Sequence, residues 1–598
     1  VTSNEIARLI ACAEEICAPR DAKPRLLVEN CNPDLTVTAL RDAIAAAGGL
    51  FERGVPVRLA FDQIQRGAVA QVMTPEALVL KAHTICRPFI KKERRDGTIV
   101  EVDARLPRSL AVMYLDWRGE WRLPPLNGIA SAPQLREDGA INSTEGYDIT
   151  TGMWCENVPH VDLLVSPKPS QDDAAAALQF IRETFKTFCF ADAETIPGGV
   201  VTVDTSKPPG RDESSFLAAL LTAVCRPSLH LAPGVLLRGA PVSGAGAGKG
   251  LLARCICLIA FGREPHAVTA GANAEELEKR ISAELMEGSP ALFLDNLNNT
   301  AFKSDLLASA ITERPARVRL LGKSQMVPLN ASAFVVLTGN GLTVSEDLAR
   351  RFVTVEFDAR TEDPELRPFS TDIRLEVTQR RTELLAAALT IWRWGRTAGD
   401  IKTGLPIGSF AQWCRWVRDP LLALGCQDPV TRIGEAKQRD GRRQVLADVF
   451  AIWWDKHQHH PVAVRQLHDD VRQALDPQGR GRQYLASQVE KLSGTRMAGF
   501  VLTRQAAVGK WGSATYALTK TDGAENHRDH RGHRGAQPPE FEVGADAAYA
   551  PYGPYASGAN ATLLDCNGVV SDCRPPSTDA VADRQSEPVT PQGWSARL

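Results

Sequence analysis

Short apolar runs at 235–237, 291–294 and 333–337, with a further strand-like run at 353–357, recur through the middle of this chain. Runs of this length, bounded by Gly, Pro or charged residues, predict buried β-strands. Between the first two, 251–261 is apolar at nearly every position and predicts a core helix. Upstream, 200–204 predicts a strand and 216–225 a helix. The segment 170–190 opens with Ser170, Asp172 and Asp173 and then repeats apolar residues at helical spacing, which predicts a capped amphipathic helix. Downstream, 373–394 reads as one long helix suited to a helical lid. Strands alternating with helices predict an α/β three-layer sandwich.

The flanks have a different texture. Runs at 56–60 and 98–102 are β-like and sit among turn-rich stretches, so the N-terminal part predicts a small α/β or β-rich accessory domain. Helical patterns at 464–475 and 483–492 precede two strand-like runs, 500–504 and 514–518, joined by a turn at 509–512. Helix, helix and two-stranded wing is the order of a winged-helix domain. From 521 onward Leu, Ile, Val and Phe become scarce among Pro, Gly, Ala, Asp and Ser, which predicts a disordered tail. His527, His530 and His533 recur there every third residue, as a solvated run or as ligands for a metal or phosphate. The expected domains are 1–160, accessory; 161–400, the α/β core with its helical lead-in and lid; 401–520, helical and winged-helix-like; and 521–598, tail.

Composition narrows the classes. The chain has 598 residues, enough for several domains, and no run approaches the length of a membrane span. Its start lacks a basic region followed by a long apolar stretch, so no secretory signal is read and a cytoplasmic location is expected. Thirteen cysteines show no CxxC pair, and Cys255 and Cys257 lie in the apolar helix, which favours core packing over a structural metal. With 69 basic and 71 acidic residues, any nucleic-acid contact has to be local.

The candidate chemistry follows the strands. After 235–237 comes SGAGAGKG, in which Gly244, Gly246 and Gly248 allow the backbone to fold around phosphate oxygens and Lys249 opens the apolar helix, whose N-terminal amides face the same anion. Ser243 stands where the pattern GxxxxGK[ST] has its first Gly, and Gly250 where it has a metal-binding hydroxyl. A flexible Gly/Ala turn before a core helix is the competing reading of this loop alone. The run 291–294 ends in Asp295, placed to face a nucleotide-bound Mg²⁺, and the next residue, Asn296, can orient water but cannot accept its proton. The run 333–337 delivers Asn340 as a γ-phosphate sensor. Arg350 and Arg351 precede the next strand, where a guanidinium can reach a neighbouring subunit's nucleotide.

With these parts in order, 311–358 resembles the motor core of AAA+ proteins and is most similar to the superfamily-three and D5-like helicase ATPases of phages and bacterial mobile elements. The segments GYDITTGMW and RDPLLALGCQDPV extend a looser similarity over most of the chain. The resemblance implies a hairpin at 317–329 that contacts DNA, with Arg317, Arg319 and Lys323 as its basic face; an ordinary surface ribbon is the alternative. In the winged-helix-like region Arg482, Gln483, Gln488 and Lys491 lie on or beside the second helix and Arg504 and Lys510 on the wing, for DNA or for protein contacts.

It further implies an ATP-dependent DNA helicase or replication ATPase using ATP and Mg²⁺, a homo-oligomeric, hexameric ring on single-stranded or forked DNA, and a primase on another chain. Gly250 and Asn296 keep a second expectation open: a nucleotide-gated DNA-binding or assembly protein with little hydrolysis. A third is an ATPase that remodels protein.

Overall fold

A computed structural model of the chain describes residues 23–520, apart from 30, 64–65, 197–200, 242–243, 270–272, 299–300, 321, 324, 370, 406, 433–440 and 507–512. These all belong to one compact unit. Ser243, the wing residue Lys510 and the tail from 521 lie outside the described residues.

At the centre is a five-stranded parallel sheet in the order Ala267–Thr269, Ala291–Asp295, Phe334–Asn340, Gly234–Gly239, Phe352–Phe357. Its inner strands are apolar without alternation because helices cover both faces. Val235, Leu236 and Leu237, like Phe334, Val336 and Leu337, are buried. The chain leaves Gly234–Gly239 through the helix Lys249–Phe261, runs to the far edge strand, and returns through Ala274–Glu287. Right-handed crossovers in opposite directions place those two helices on opposite faces. The first strand in sequence thus lies between the last two, and a loop at its carboxyl end opens at a topological switch point, where α/β sheets bind ligands.

A further helical layer backs the sandwich. Gln171–Phe185 starts at a capping box: Asp173 N–H donates to Ser170 Oγ at 3.1 Å, and Ser170 N–H to Asp173 Oδ2 at 2.8 Å. It packs along Arg381–Thr397. The helical stretch expected over 373–394 is broken at Arg380 into Ile373–Gln379 and Arg381–Thr397. The strand expected at 200–204 is reduced to a single bridge, Thr195 to Val203, because Val203 N–H is taken by the Lys186 carbonyl at 2.7 Å. Residues 410–426 pack into the same core: the Trp413 indole donates to Thr222 Oγ1 at 2.8 Å and Trp416 sits edge-on to Trp392.

Among the described residues, 25–123 are α/β, with two three-stranded sheets, three helices and their own core around Leu40, Ile44, Leu78, Leu110 and Tyr114. Both β-like runs named above fall in strands, Pro56–Asp62 and Ile99–Asp103. The buried Arg53 guanidinium joins this part to the sandwich, donating to the carbonyls of Leu126, Leu285 and Met286 at 2.6–3.0 Å. The last two carbonyls close the helix Ala274–Glu287, whose C-terminal end favours a cation.

The C-terminal part holds the helices Gly441–His457, Asp469–Leu475 and Arg482–Leu492 and a four-stranded sheet in the order Val462–Ala463, Thr515–Lys520, Phe500–Gln505, Arg496–Met497. Phe450, Trp453, Val471, Val489, Leu502 and Leu518 form its separate core.

Candidate nucleotide site

Parallel strands put all their carboxyl ends on one edge, and Gly239, Asp295 and Asn340 end there together. Gly239 pairs with Asn340, and Leu294 with Leu337, so Asp295 comes to lie beside Thr338. The loop after Gly239 returns to the helix at Lys249 through two left-handed residues, Gly246 (φ 70°) and Gly248 (φ 92°), a conformation that costs glycine little. Gly244 is needed for space. A Cβ there would stand 2.7 Å from Asn340 Oδ1 and collide with the Ala240 carbonyl.

Lys249 is buried, and its ammonium donates to the Gly244 carbonyl. Burial lowers its pKa, while Cys189 and Asp295 pull the other way. Asn340 Oδ1 is buried, has no hydrogen-bond partner among the described residues and faces the loop. Its backbone N–H donates to Asn298 Oδ1 at 2.8 Å. Asp295 Oδ1 accepts from the Thr338 hydroxyl and, at 3.1 Å, from the Asn296 N–H. Asn296 is exposed with φ 61°, a conformation asparagine tolerates, and it holds the chain so that Leu297 N–H reaches the Thr338 carbonyl.

The loop, Lys249, Asp295 and Asn340 therefore converge, with Gly250 at the first turn of the helix. Two neighbours, Asn298 and Arg254, were not foreseen from the sequence. Thr338, delivered with Asn340 by the same strand end, was legible, lying two residues before it and thus on its side of the strand. Arg254 was not. Its guanidinium lies 3.7 Å from Asp295 Oδ2 and 3.5 Å from a Glu264 oxygen, and Nη1 donates to the Gly250 carbonyl at 3.0 Å.

Glycine amides, a helix start and a buried ammonium suit a nucleotide's phosphates, while the Asn340 side-chain oxygen beside them can accept from a water but not from a phosphate. The residues do not fit a metal held by Asp295 together with a hydroxyl from the first turn of the helix. Gly250 has no hydroxyl, and Arg254 lies in the place beside Asp295.

Arg350 and Arg351 stand elsewhere. Gly234 N–H donates to the Arg351 carbonyl, so the pair lies at the amino edge of the sheet, a strand length or roughly 20 Å from the loop. Both pair with Asp347; Arg351 is largely covered, whereas Arg350 is 56 % exposed.

The expected ribbon is the antiparallel pair Ala316–Leu320 and Gln325–Leu329. Ala316, Val318, Val327 and Leu329 face inward, and Arg317, Arg319 and Lys323 are exposed. On Arg482–Leu492, Arg482, Gln483 and Lys491 are exposed while Val489 is buried; Gln488 is half-buried, and Arg504 pairs with Glu490 at 3.3 Å.

No family model and no curated protein matches the chain. Among solved structures, it is similar to the apo C-terminal region of NrS-1 (11% identity, 81% of this chain and 100% of that one, TM-score 0.33). It is also similar to the SCCmec type IV Cch helicase (11%, 77% and 97%, TM-score 0.25) and to JCV helicase (10%, 49% and 74%, TM-score 0.18). Likeness this low assigns neither fold nor activity to the chain.

Proposed function

We propose that this chain is an ATP-dependent DNA helicase or replication ATPase of a mobile genetic element or phage, with an AAA+ core and a winged-helix domain, acting as a homo-oligomeric ring on single-stranded or forked DNA. The observation that carries the reading is the convergence of Lys249, Asp295, Thr338 and Asn340 around one glycine loop at the switch point of a parallel sheet. In this reading the loop amides and Lys249 hold the β- and γ-phosphates, and Asn340 turns its amide to the γ-phosphate or the attacking water. Arg350, at the other edge, serves the site of a neighbouring subunit, with Arg351 braced behind it. Asp295 is the acid that the motif order assigns to Mg²⁺, an ion that would neutralise charge on the phosphate oxygens, but Arg254 beside it takes that place. The exposed arginines of the ribbon and the helix Arg482–Leu492 supply local contacts to DNA phosphates.

A second reading is a nucleotide-gated DNA-binding or assembly protein that hydrolyses little. Asn296 favours it, since it stands beside Asp295 without a carboxylate to accept a proton. The deciding experiment is phosphate release from ATP by the full chain, with and without single-stranded DNA, beside Lys249→Ala. DNA-stimulated release that the variant loses supports the motor. Tight nucleotide binding without release supports the gated protein, and release unchanged in Lys249→Ala overturns the site.

A further inference from the structure

The helix that begins at Lys249 carries two departures that fit each other. Position 250 lacks a side chain, and the space this leaves is filled by Arg254, one turn on. A Cβ at 250 would lie 2.9 Å from Arg254 Nη1 and 3.7 and 3.8 Å from the two Asp295 oxygens. A serine or threonine there would thus carry its hydroxyl into the space the guanidinium occupies beside Asp295. Arg254 is fixed in that space by the Gly250 carbonyl at 3.0 Å, Asp295 Oδ2 at 3.7 Å, Glu264 at 3.5 Å, and the Phe293 ring beneath it at 5.1 Å. Its side chain remains 27 % exposed, so the guanidinium is not sealed from solvent. The other Asp295 oxygen is already engaged by Thr338 and Asn296.

We propose that Arg254 is a resident cation of the phosphate site, standing in for the hydroxyl-held metal, so that nucleotide binds to this protein without needing Mg²⁺. This rests on the nucleotide reading above. A guanidinium suits the task because its planar fork donates to two phosphate oxygens at once and stays charged. A divalent ion brought against Asp295 meets like charge from Arg254.

The test is binding of a fluorescent ATP analogue to the full chain, in Mg²⁺ and in EDTA. Wild type is expected to change affinity less than threefold between the two. Arg254→Ala is expected to bind at least tenfold more weakly in EDTA and to recover part of that loss in Mg²⁺, with Arg254→Lys between them. Gly250→Ser, which pushes the guanidinium aside, is expected to acquire dependence on Mg²⁺ and serves if the alanine variant does not fold. Wild-type affinity that falls tenfold or more in EDTA overturns the proposal, as does metal-independent binding retained by Arg254→Ala. Failure of the nucleotide reading itself looks different: Lys249→Ala then binds the analogue as wild type does in both buffers.

Discussion

Asn340 keeps an acceptor oxygen buried against the glycine loop with no partner among the described residues, an arrangement that costs the fold and that the proposed nucleotide reading explains by a bound ligand or its attacking water. Removing that amide therefore separates stability from function. Asn340→Ala is expected to leave the thermal midpoint unchanged or slightly raised, while ATP turnover falls by about 10²-fold, the usual scale for losing one oriented polar group. A midpoint that drops by several degrees with turnover intact would make Asn340 structural. At this scale the sequence was most legible where a residue type is demanded by backbone or charge: Gly246 and Gly248 do adopt left-handed conformations, and Lys249 does point into the loop. It was least legible for Arg254, because a helix position seen in one dimension does not reveal that a missing side chain four residues earlier gives it room. Asn298 was hidden for a related reason, since its bond to Asn340 depends on two strand ends meeting.

Among elements, the ribbon was expected at 317–329 from the family resemblance, and its first strand, Ala316–Leu320, alternates apolar residues with arginines as a strand with one face buried does. Its outward arginines are exposed and take no part in the core, so changing them should leave the nucleotide site alone. Arg317→Ala together with Arg319→Ala is expected to weaken binding of single-stranded DNA and to lower the salt slope by about 1.4, at roughly 0.7 for each phosphate no longer neutralised, with nucleotide affinity unchanged. An unchanged slope would make the ribbon an ordinary surface feature. Helix breaks and short edge runs were less legible. The stop at Arg380 follows no Gly or Pro, and the run 200–204 has strand-like residues whose backbone partners lie in a loop. Residues 410–426 likewise join the core through Trp413 and Trp416, a tertiary choice that local pattern does not encode.

On the scale of the whole molecule, a buried ion network ties the carboxyl edge of the sheet to the segment that leads toward the C-terminal helices. Glu356, on the edge strand, pairs with Arg238 beside it and at 2.8 Å with Arg432, which also reaches Asp212 at 2.6 Å. Burial alone raises the Glu356 carboxyl, but the two guanidinium groups outweigh it and hold it at about 2. The folded state therefore binds fewer protons than the unfolded one between about pH 2 and the ordinary glutamate range. Stability from this group is present above that range and is lost as pH falls through the folded value. Glu356→Gln is expected to cost up to about 3 kcal/mol at neutral pH and to flatten the decline of the thermal midpoint on acidification; a parallel decline in the variant would locate the acid sensitivity elsewhere.

The order of the glycine loop, Asp295, Asn340 and the two arginines could be read along the chain, but the edge of the sheet on which each falls could not, because that depends on strand direction. The structure sets Arg350 and Lys249 on opposite edges, so no single subunit can bring them together. On the proposed ring reading, the two inactive variants contain one good site between them. Mixed in equal amounts, Lys249→Ala and Arg350→Ala subunits of a ring join an intact lysine to an intact arginine at about a quarter of interfaces. ATP turnover of the mixture should rise toward that fraction of wild type, and it should do so only after subunits exchange. A mixture that stays as inactive as its parts, with oligomers shown to be mixed, would leave Arg350 without a role across the interface and would turn attention to a motor completed within one chain.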